Sequence, residues 1–280
     1  MIALQRRTAD IPAKFVGAGL KQSMKVLLTS FYENAGAVPF NDQKSLQIWG
    51  TAKANLKKES FNKCAYCEAP TAVVTHGDVE HFRPKSSYWW LAYAYDNYSY
   101  ACQICNQIFK GDRFDVKGPP LKPPRKLPAA RPEAAKLAQL AGQLCPNPGV
   151  SLKAELRLLW GKEKADLLHP YLDEPEALLA WQVDAINQEV TLVALPGNAA
   201  SQLAVQACEK LLGLNREELR RLRYPQYDRI EGFALVIQET QHEDIRLRAR
   251  ARLIAAARDD QPFAGMTRFF LRQWGLLSPI

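Results

Sequence analysis

Two Cys-x-x-Cys pairs offer metal ligands in the first half of the chain. Cys64 and Cys67 form one pair, and Cys102 and Cys105 form the other. Each pair can present two thiolates to one ion, and two pairs complete the tetrahedral sulfur site that zinc prefers. Because protein thiolates would fill all four positions, no position is left for a water molecule. The sequence therefore predicts a structural zinc site, with any chemistry located elsewhere.

Imidazole, carboxylate and amide groups lie within or just beyond the segment that the cysteines enclose. Glu80 directly precedes His81, and Asn97 and Asn106 follow. A histidine that titrates near neutral pH can activate water for attack on a phosphodiester. A divalent cation bound by carboxylate and amide oxygens can neutralise the charge that develops on the phosphate. We therefore predict His81 as the base and Glu80 and Asn106 as ligands of a catalytic cation.

The placement of Glu80 beside His81 imposes a geometric condition. Neighbouring residues on a regular strand point to opposite faces. Both can serve one phosphate only if the strand ends or kinks there, which Pro84 allows. Asp78 could support His81 or the cation, but capping of the strand end is an equally good interpretation.

The net charge of +8 and the pI near 9.2 suit a polyanionic partner, nucleic acid before membrane. Lys85 and Lys110 flank the predicted site and could hold backbone phosphates, or they could be ordinary surface lysines. No apolar run is long enough to span a bilayer, and the first residues lack the features of a signal peptide. We expect a cytoplasmic protein, in which paired cysteines bind metal rather than form disulfides.

The order Cys-x2-Cys, Glu-His-x2-Pro-Lys, Asn, Cys-x2-Cys-Asn-x3-Lys-Gly resembles the zinc-stapled form of the HNH endonuclease family. The resemblance covers about residues 61–112. It implies a small ββα-metal fold in which His81 is the general base and Glu80 and Asn106 bind the cation. It also implies that Asn97 orients the histidine-bearing loop. With asparagine at the last position, the resemblance implies Mg²⁺ or Mn²⁺ as the catalytic metal.

A weaker likeness connects the chain to the HNH subunits of Septu and retron-type anti-phage defence systems. This likeness is carried by the opening MIALQRR, by the GDVEHFRPKSSYWWLAYAYDNYSYACQICN run, and by LLHPYLDEPE with the helical tail that follows. Those subunits act with an ATPase, so the likeness implies an ATPase partner. The resulting prediction is a metal-dependent endonuclease that hydrolyses DNA, with RNA left open as a substrate. The alternative is a non-catalytic zinc module that binds nucleic acid.

The elements around this segment predict an α+β fold, mostly helical around the small nuclease module. Four regions are expected: a helical segment at 1–60, the zinc-stapled module at 61–116, a proline-rich basic connector at 117–132, and a mixed, then helical region at 133–280.

Within these regions the sequence pattern predicts particular helices and strands. The predicted helices are at 20–34, from Asn41 or Asp42 to about Leu56 with Trp49 on its apolar face, from the second cysteine pair to Phe109, at 133–144, at 202–213, after a cap at Asn215, at 227–258 and at 265–274. The predicted strands are at 71–75 and 156–160, with a hairpin at 181–195.

Overall fold

Helices dominate the chain, and two short antiparallel sheets interrupt them. The computed structural model describes residues 1–71, 76–123, 126–146 and 153–278. The helices of these ranges are α1 Gly17–Glu33, α2 Lys53–Glu59, α3 Ala134–Leu144, α4 Lys153–Trp160, α5 Ala199–Leu212, α6 Glu217–Glu239, α7 Glu243–Ala256 and α8 Ala264–Gln273, with a π-helix at Ile104–Lys110. The strands are β1 Asp78–His81, β2 Tyr98–Ala101, β3 Leu179–Asp184 and β4 Glu189–Ala194. The predicted α+β class is confirmed.

The N-terminal segment contains one long helix and a broken one. α1 buries Leu20, Met24 and Leu27 at helical spacing, as predicted. The helix predicted from Asn41 or Asp42 is wrong, because short 3₁₀ turns precede α2. The break falls at Gln47, whose backbone is not helical and whose side-chain amide donates to the Phe40 carbonyl oxygen at 2.8 Å. The break in the helix therefore coincides with a local hydrogen bond from a side chain to the backbone.

Two strands and a π-helix form the module that carries the predicted site. β1 pairs antiparallel with β2, and Glu80 lies opposite Ser99 in this register. The π-helix begins beside the second cysteine pair and ends where the Gly111 N–H donates to the Asn106 carbonyl oxygen at 2.6 Å. Gly111 adopts a φ of 49°, which glycine tolerates best. The predicted helical segment is confirmed, whereas most of the strand predicted at 71–75 lies outside the described residues.

The C-terminal half confirms some elements and corrects others. The hairpin of β3 and β4 matches the predicted one, and α3 and α8 match their predicted helices. The segment 156–160 is part of α4 rather than a strand, because Leu156 and Trp160 bury one helical face four residues apart. The long helix predicted at 227–258 is two helices, since Thr240 is extended between α6 and α7.

The C-terminal half packs directly on the module that carries the cysteine pairs. α5 lies against the π-helix, and the core around Cys105 also contains Cys208 and Leu211. A side chain at Gly213, the residue after α5, would place its Cβ 2.3 Å from the Phe109 ring. The domain boundaries proposed from the sequence stay predictions. Among the described residues, no helix combines the length and apolar character needed to cross a membrane.

Candidate metal centres and active-site cleft

The four paired cysteines form one buried cluster. Their Sγ atoms all lie within 4.8 Å of one another, and those of Cys67 and Cys102 are 4.0 Å apart. Four sulfurs bonded to one zinc ion at about 2.3 Å are separated by about 3.8 Å. The cluster therefore fits a metal such as zinc, and it joins the turn before β1 to the start of the π-helix.

An arginine from the C-terminal half balances the charge of this cluster. The Arg216 Nη1 lies 3.8 Å from the Cys105 Sγ. Burial opposes the charge of Arg216, but the thiols of Cys105 and Cys67 raise its pKa overall. A four-thiolate zinc site carries a net negative charge, which a donor of this kind stabilises. No local sequence signal indicates this contact, because Arg216 lies far from both cysteine pairs along the chain.

His81 ends β1 with its ring buried between Trp49 and Tyr98. The ring centroids lie 5.1 and 4.9 Å from those of these two side chains. Its Nε2 lies 3.2 Å from the Ala92 carbonyl oxygen. A carbonyl oxygen only accepts, so Nε2 carries the hydrogen and Nδ1 carries the lone pair. Burial, followed by the charge of Lys85, lowers the pKa of His81 to about 3, which keeps the ring neutral. The ring is therefore a weaker base than the near-neutral histidine expected from the sequence.

Asn97 holds the loop that follows His81. Its Oδ1 accepts from the Arg83 N–H at 2.8 Å, and its Nδ2 donates to the Arg83 carbonyl oxygen at 3.0 Å. The Phe82 N–H donates to the Asn97 carbonyl oxygen at 2.8 Å. Asn97 is fully buried, so water does not compete for these bonds. The arrangement supports the orienting role that the family resemblance implies.

Glu80 lies on the face of β1 opposite His81 and pairs with Lys110. The Lys110 Nζ is 2.7 Å from the Glu80 Oε1 and donates to the His81 carbonyl oxygen at 2.9 Å. Both side chains are buried. Burial raises the pKa of Glu80, although Lys110 acts in the opposite direction. Because its ammonium is enclosed by these two partners, Lys110 lacks the exposure that its predicted contact with a backbone phosphate requires.

Asp78 and Asn106 lie together at the edge of the site. The Asp78 Oδ2 accepts from the Asn106 Nδ2 at 3.2 Å and from the Gln107 Nε2 at 2.8 Å. Asp78 shares a face of β1 with Glu80, but it is only half-buried. Carboxylate and amide groups in this position suit a hard cation. The structure thus connects Asp78 with Asn106, a pairing that the sequence left open.

Asp78, Glu80, His81 and Asn106 border one cleft of about 410 Å³. Its walls are formed by Trp49, Gly50, Lys53, Asp78, Val79, Glu80, His81, Pro84, Lys85, Asn106, Gln107, Gly111 and Asp112. The Lys85 Nζ lies 5.5 Å from the Trp49 ring, so the two side chains form one rim. Sequence reasoning missed Trp49 and Lys53, because the predicted helix assigned Trp49 to a packed face and Lys53 is one of many lysines.

Comparison with known proteins finds one informative relative. No family model and no solved structure matches the chain. The chain is similar to the Septu protein PtuB of Bacillus mycoides (strain KBAB4), with 36% identity over 113 residues. The match covers 35% of this chain and 36% of that protein, so the chain spans about a third of the length of its curated relative.

Proposed function

We propose that the chain is a metal-dependent HNH endonuclease that hydrolyses DNA phosphodiester bonds. The observation that carries this proposal is the state of His81. Its Nε2–H is bound to the Ala92 carbonyl oxygen, which leaves the Nδ1 lone pair for a proton. The histidine also borders a cleft that contains carboxylate, amide and lysine side chains.

In the proposed reaction, His81 Nδ1 accepts a proton from a water molecule as the water oxygen attacks phosphorus. Asn97 keeps the ring aligned by holding both backbone polar groups of Arg83, two residues further along. As the new bond to phosphorus forms, the bond from phosphorus to one ester oxygen breaks. This oxygen leaves with its sugar and takes a proton from solvent, so the strand is cut.

Some of the side chains in the cleft are suitable ligands for the cation that this reaction needs. Asp78 and Asn106 fit Mg²⁺ or Mn²⁺, because both bear oxygen ligands, lie together and border the cleft. Glu80, the ligand expected from the sequence, fits less well because Lys110 already neutralises it. When bound, the cation would supply positive charge for the phosphate oxygens as they become more negative.

The rim of the cleft suits a nucleic-acid backbone. Lys53 and Lys85 are half-buried along it, and the whole chain carries a net charge of +8. Lysines in such a position contact phosphates without reading the base sequence. We propose that Lys85 takes the phosphate-binding role that its position in the sequence suggested.

The similarity to a Septu protein supports a biological setting for the nuclease. We place the chain in an anti-phage defence system as its nuclease component. From the resemblance of the sequence to the HNH subunits of such systems, we also propose an ATPase as its partner.

A non-catalytic nucleic-acid-binding zinc module is the second candidate. The ion pair between Glu80 and Lys110 favours it, because a neutralised carboxylate is a poorer cation ligand. Under this candidate the cysteine cluster and the basic rim would bind nucleic acid, and no strand would be cut.

Cleavage of supercoiled plasmid in Mg²⁺ or Mn²⁺ separates the two candidates. The decisive variant is His81→Gln, whose side-chain amide can still donate to the Ala92 carbonyl oxygen but cannot act as a base. The matched control is His242→Gln, at an exposed histidine before α7. We expect a loss of about 100-fold or more in the cleavage rate for His81→Gln, and no loss for the control.

Two results would count against the nuclease proposal. Equal cleavage by the wild type and His81→Gln would remove His81 from the reaction. A wild-type protein that binds DNA, retains zinc and remains inert even with its ATPase partner would favour the non-catalytic module.

A further inference from the structure

The two acidic residues of β1 that share a face differ in what surrounds them. Glu80 is 3% exposed, and its carboxylate is 2.7 Å from the Lys110 Nζ. Asp78 is half-buried, and amide groups of Asn106 and Gln107 contact its carboxylate. Only one of these two carboxylates is therefore already paired with a full positive charge.

Lys110 joins β1 to the π-helix through buried contacts. Its ammonium holds the Glu80 carboxylate and the His81 carbonyl oxygen, and its side chain has no exposure. A cation that took the Glu80 Oε1 as its ligand would compete with this ammonium within the protein interior. Separating the Lys110 ammonium from the carboxylate that it contacts would be a costly change for a buried charge. Glu80 and Lys110 therefore have the properties of a structural ion pair.

Asp78 and Asn106 are more exposed than Glu80, which borders the same cleft. Both are half-buried, and both border the cleft that His81 borders. The Asn106 Nδ2 lies 3.2 Å from the Asp78 Oδ2. A rotation of the amide exchanges nitrogen for oxygen with almost no change in shape. The same two side chains can therefore present two oxygen ligands to a cation without disturbing a buried charge.

We propose that Asp78 and Asn106 hold the catalytic cation, and that Glu80 and Lys110 instead fix β1 against the π-helix. This inference rests on the proposed nuclease function and changes its ligand set. It makes Asp78 a metal-binding residue and Lys110 a positioning residue for the backbone of His81. It also explains why a lysine near the site is buried rather than available to a phosphate.

The test measures binding of Mn²⁺ to the zinc-loaded protein by electron paramagnetic resonance, without DNA. Zinc loading keeps Mn²⁺ from the thiolate site, which binds zinc more tightly. Asp78→Asn should weaken Mn²⁺ binding by about 10-fold or more, the range seen when a ligand shell is damaged. The matched control is Asp228→Asn, at an exposed position on α6, and it should bind Mn²⁺ as the wild type does.

The double variant Glu80→Gln with Lys110→Met tests the other half of the proposal. It removes both buried charges together, so the fold does not have to contain an unpaired one. We expect it to bind Mn²⁺ within about 3-fold of the wild type, because no ligand is lost. Circular dichroism and zinc content report whether the double variant folds. If it does not fold, Asp78→Asn still tests the ligand assignment, because Asp78 is only half-buried.

Three outcomes would overturn the inference. They are no Mn²⁺ binding by the wild type, full binding by Asp78→Asn, and loss of binding in a folded double variant. Failure of the nuclease proposal looks different, because it leaves Mn²⁺ bound through Asp78 while DNA remains intact. Conversely, DNA cleavage together with unchanged binding by Asp78→Asn would refute only the ligand assignment.

Discussion

Glu163 is a buried carboxylate that ties the loop after His81 to the C-terminal half. Its Oε2 accepts from the Arg83 Nε at 2.6 Å. Its Oε1 accepts from the Tyr88 hydroxyl at 2.7 Å and from the Leu121 N–H at 2.8 Å. Glu163 has no exposure and the Arg83 side chain is 2% exposed. Replacing this carboxylate therefore tests how the loop is held.

The variant Glu163→Gln keeps the volume and one oxygen of the side chain. That oxygen can still accept from Tyr88 and Leu121, but an amide NH₂ then faces the Arg83 N–H. The guanidinium stays buried without its counter-charge, a change that costs about 3–5 kcal/mol. Adding Arg83→Met removes the stranded charge and leaves mainly an unsatisfied amide donor, worth about 1–3 kcal/mol. The double variant should therefore be more stable than Glu163→Gln by about 2 kcal/mol.

Urea unfolding of the zinc-loaded protein, followed by tryptophan fluorescence, measures these differences. With a slope of roughly 3 kcal/mol per molar urea, Glu163→Gln should lower the midpoint by about 1–1.7 M. The control Glu155→Gln, at an exposed position on α4, should change stability by less than about 0.5 kcal/mol. A loss below about 1 kcal/mol for Glu163→Gln is what a surface pair would give, and it would refute the reasoning. A double variant less stable than the single one would refute it equally.

Three further predictions concern the loop, the cysteines and a second buried histidine. Asn97→Ala should lower the free energy of unfolding in urea by about 2–4 kcal/mol, because the N–H and carbonyl of Arg83 lose their side-chain partners. A decrease of less than about 1 kcal/mol would contradict this role. Cys102→Ser should lower the zinc content measured by mass spectrometry while Cys208→Ser retains it, and equal zinc in both would disprove the four-thiolate site. Burial lowers the pKa of His169 well below 6.5, so the unfolded chain binds a proton that the folded chain excludes. As the pH falls below about 6.5, the free energy of unfolding should therefore decrease more steeply for the wild type than for His169→Asn. Parallel plots of this free energy against pH would exclude the contribution of His169.

Short-range patterns predicted the elements that form from local interactions. Helix α1 follows from apolar residues at helical spacing, and the end of the π-helix follows from Gly111. The pattern failed where a distant partner intervenes. Asn215 looks like a helix cap, but its side chain binds both backbone polar groups of Leu192 on β4. Such a partner is invisible in a window of neighbouring residues.

The sequence by itself determined the cysteine set and the order of residues around His81. Thiolates in two short loops can bind zinc because their spacing already brings each pair together, and the cluster was therefore predictable. The tertiary structure alone decided which carboxylate is paired and which remains available. Packing of the π-helix on β1 buries Lys110 against Glu80 and leaves Asp78 beside Asn106 at the cleft. Burial and charge pairing depend on contacts between segments that are distant in the sequence. The sequence therefore identified both Asp78 and Glu80 as candidates but could not assign their roles.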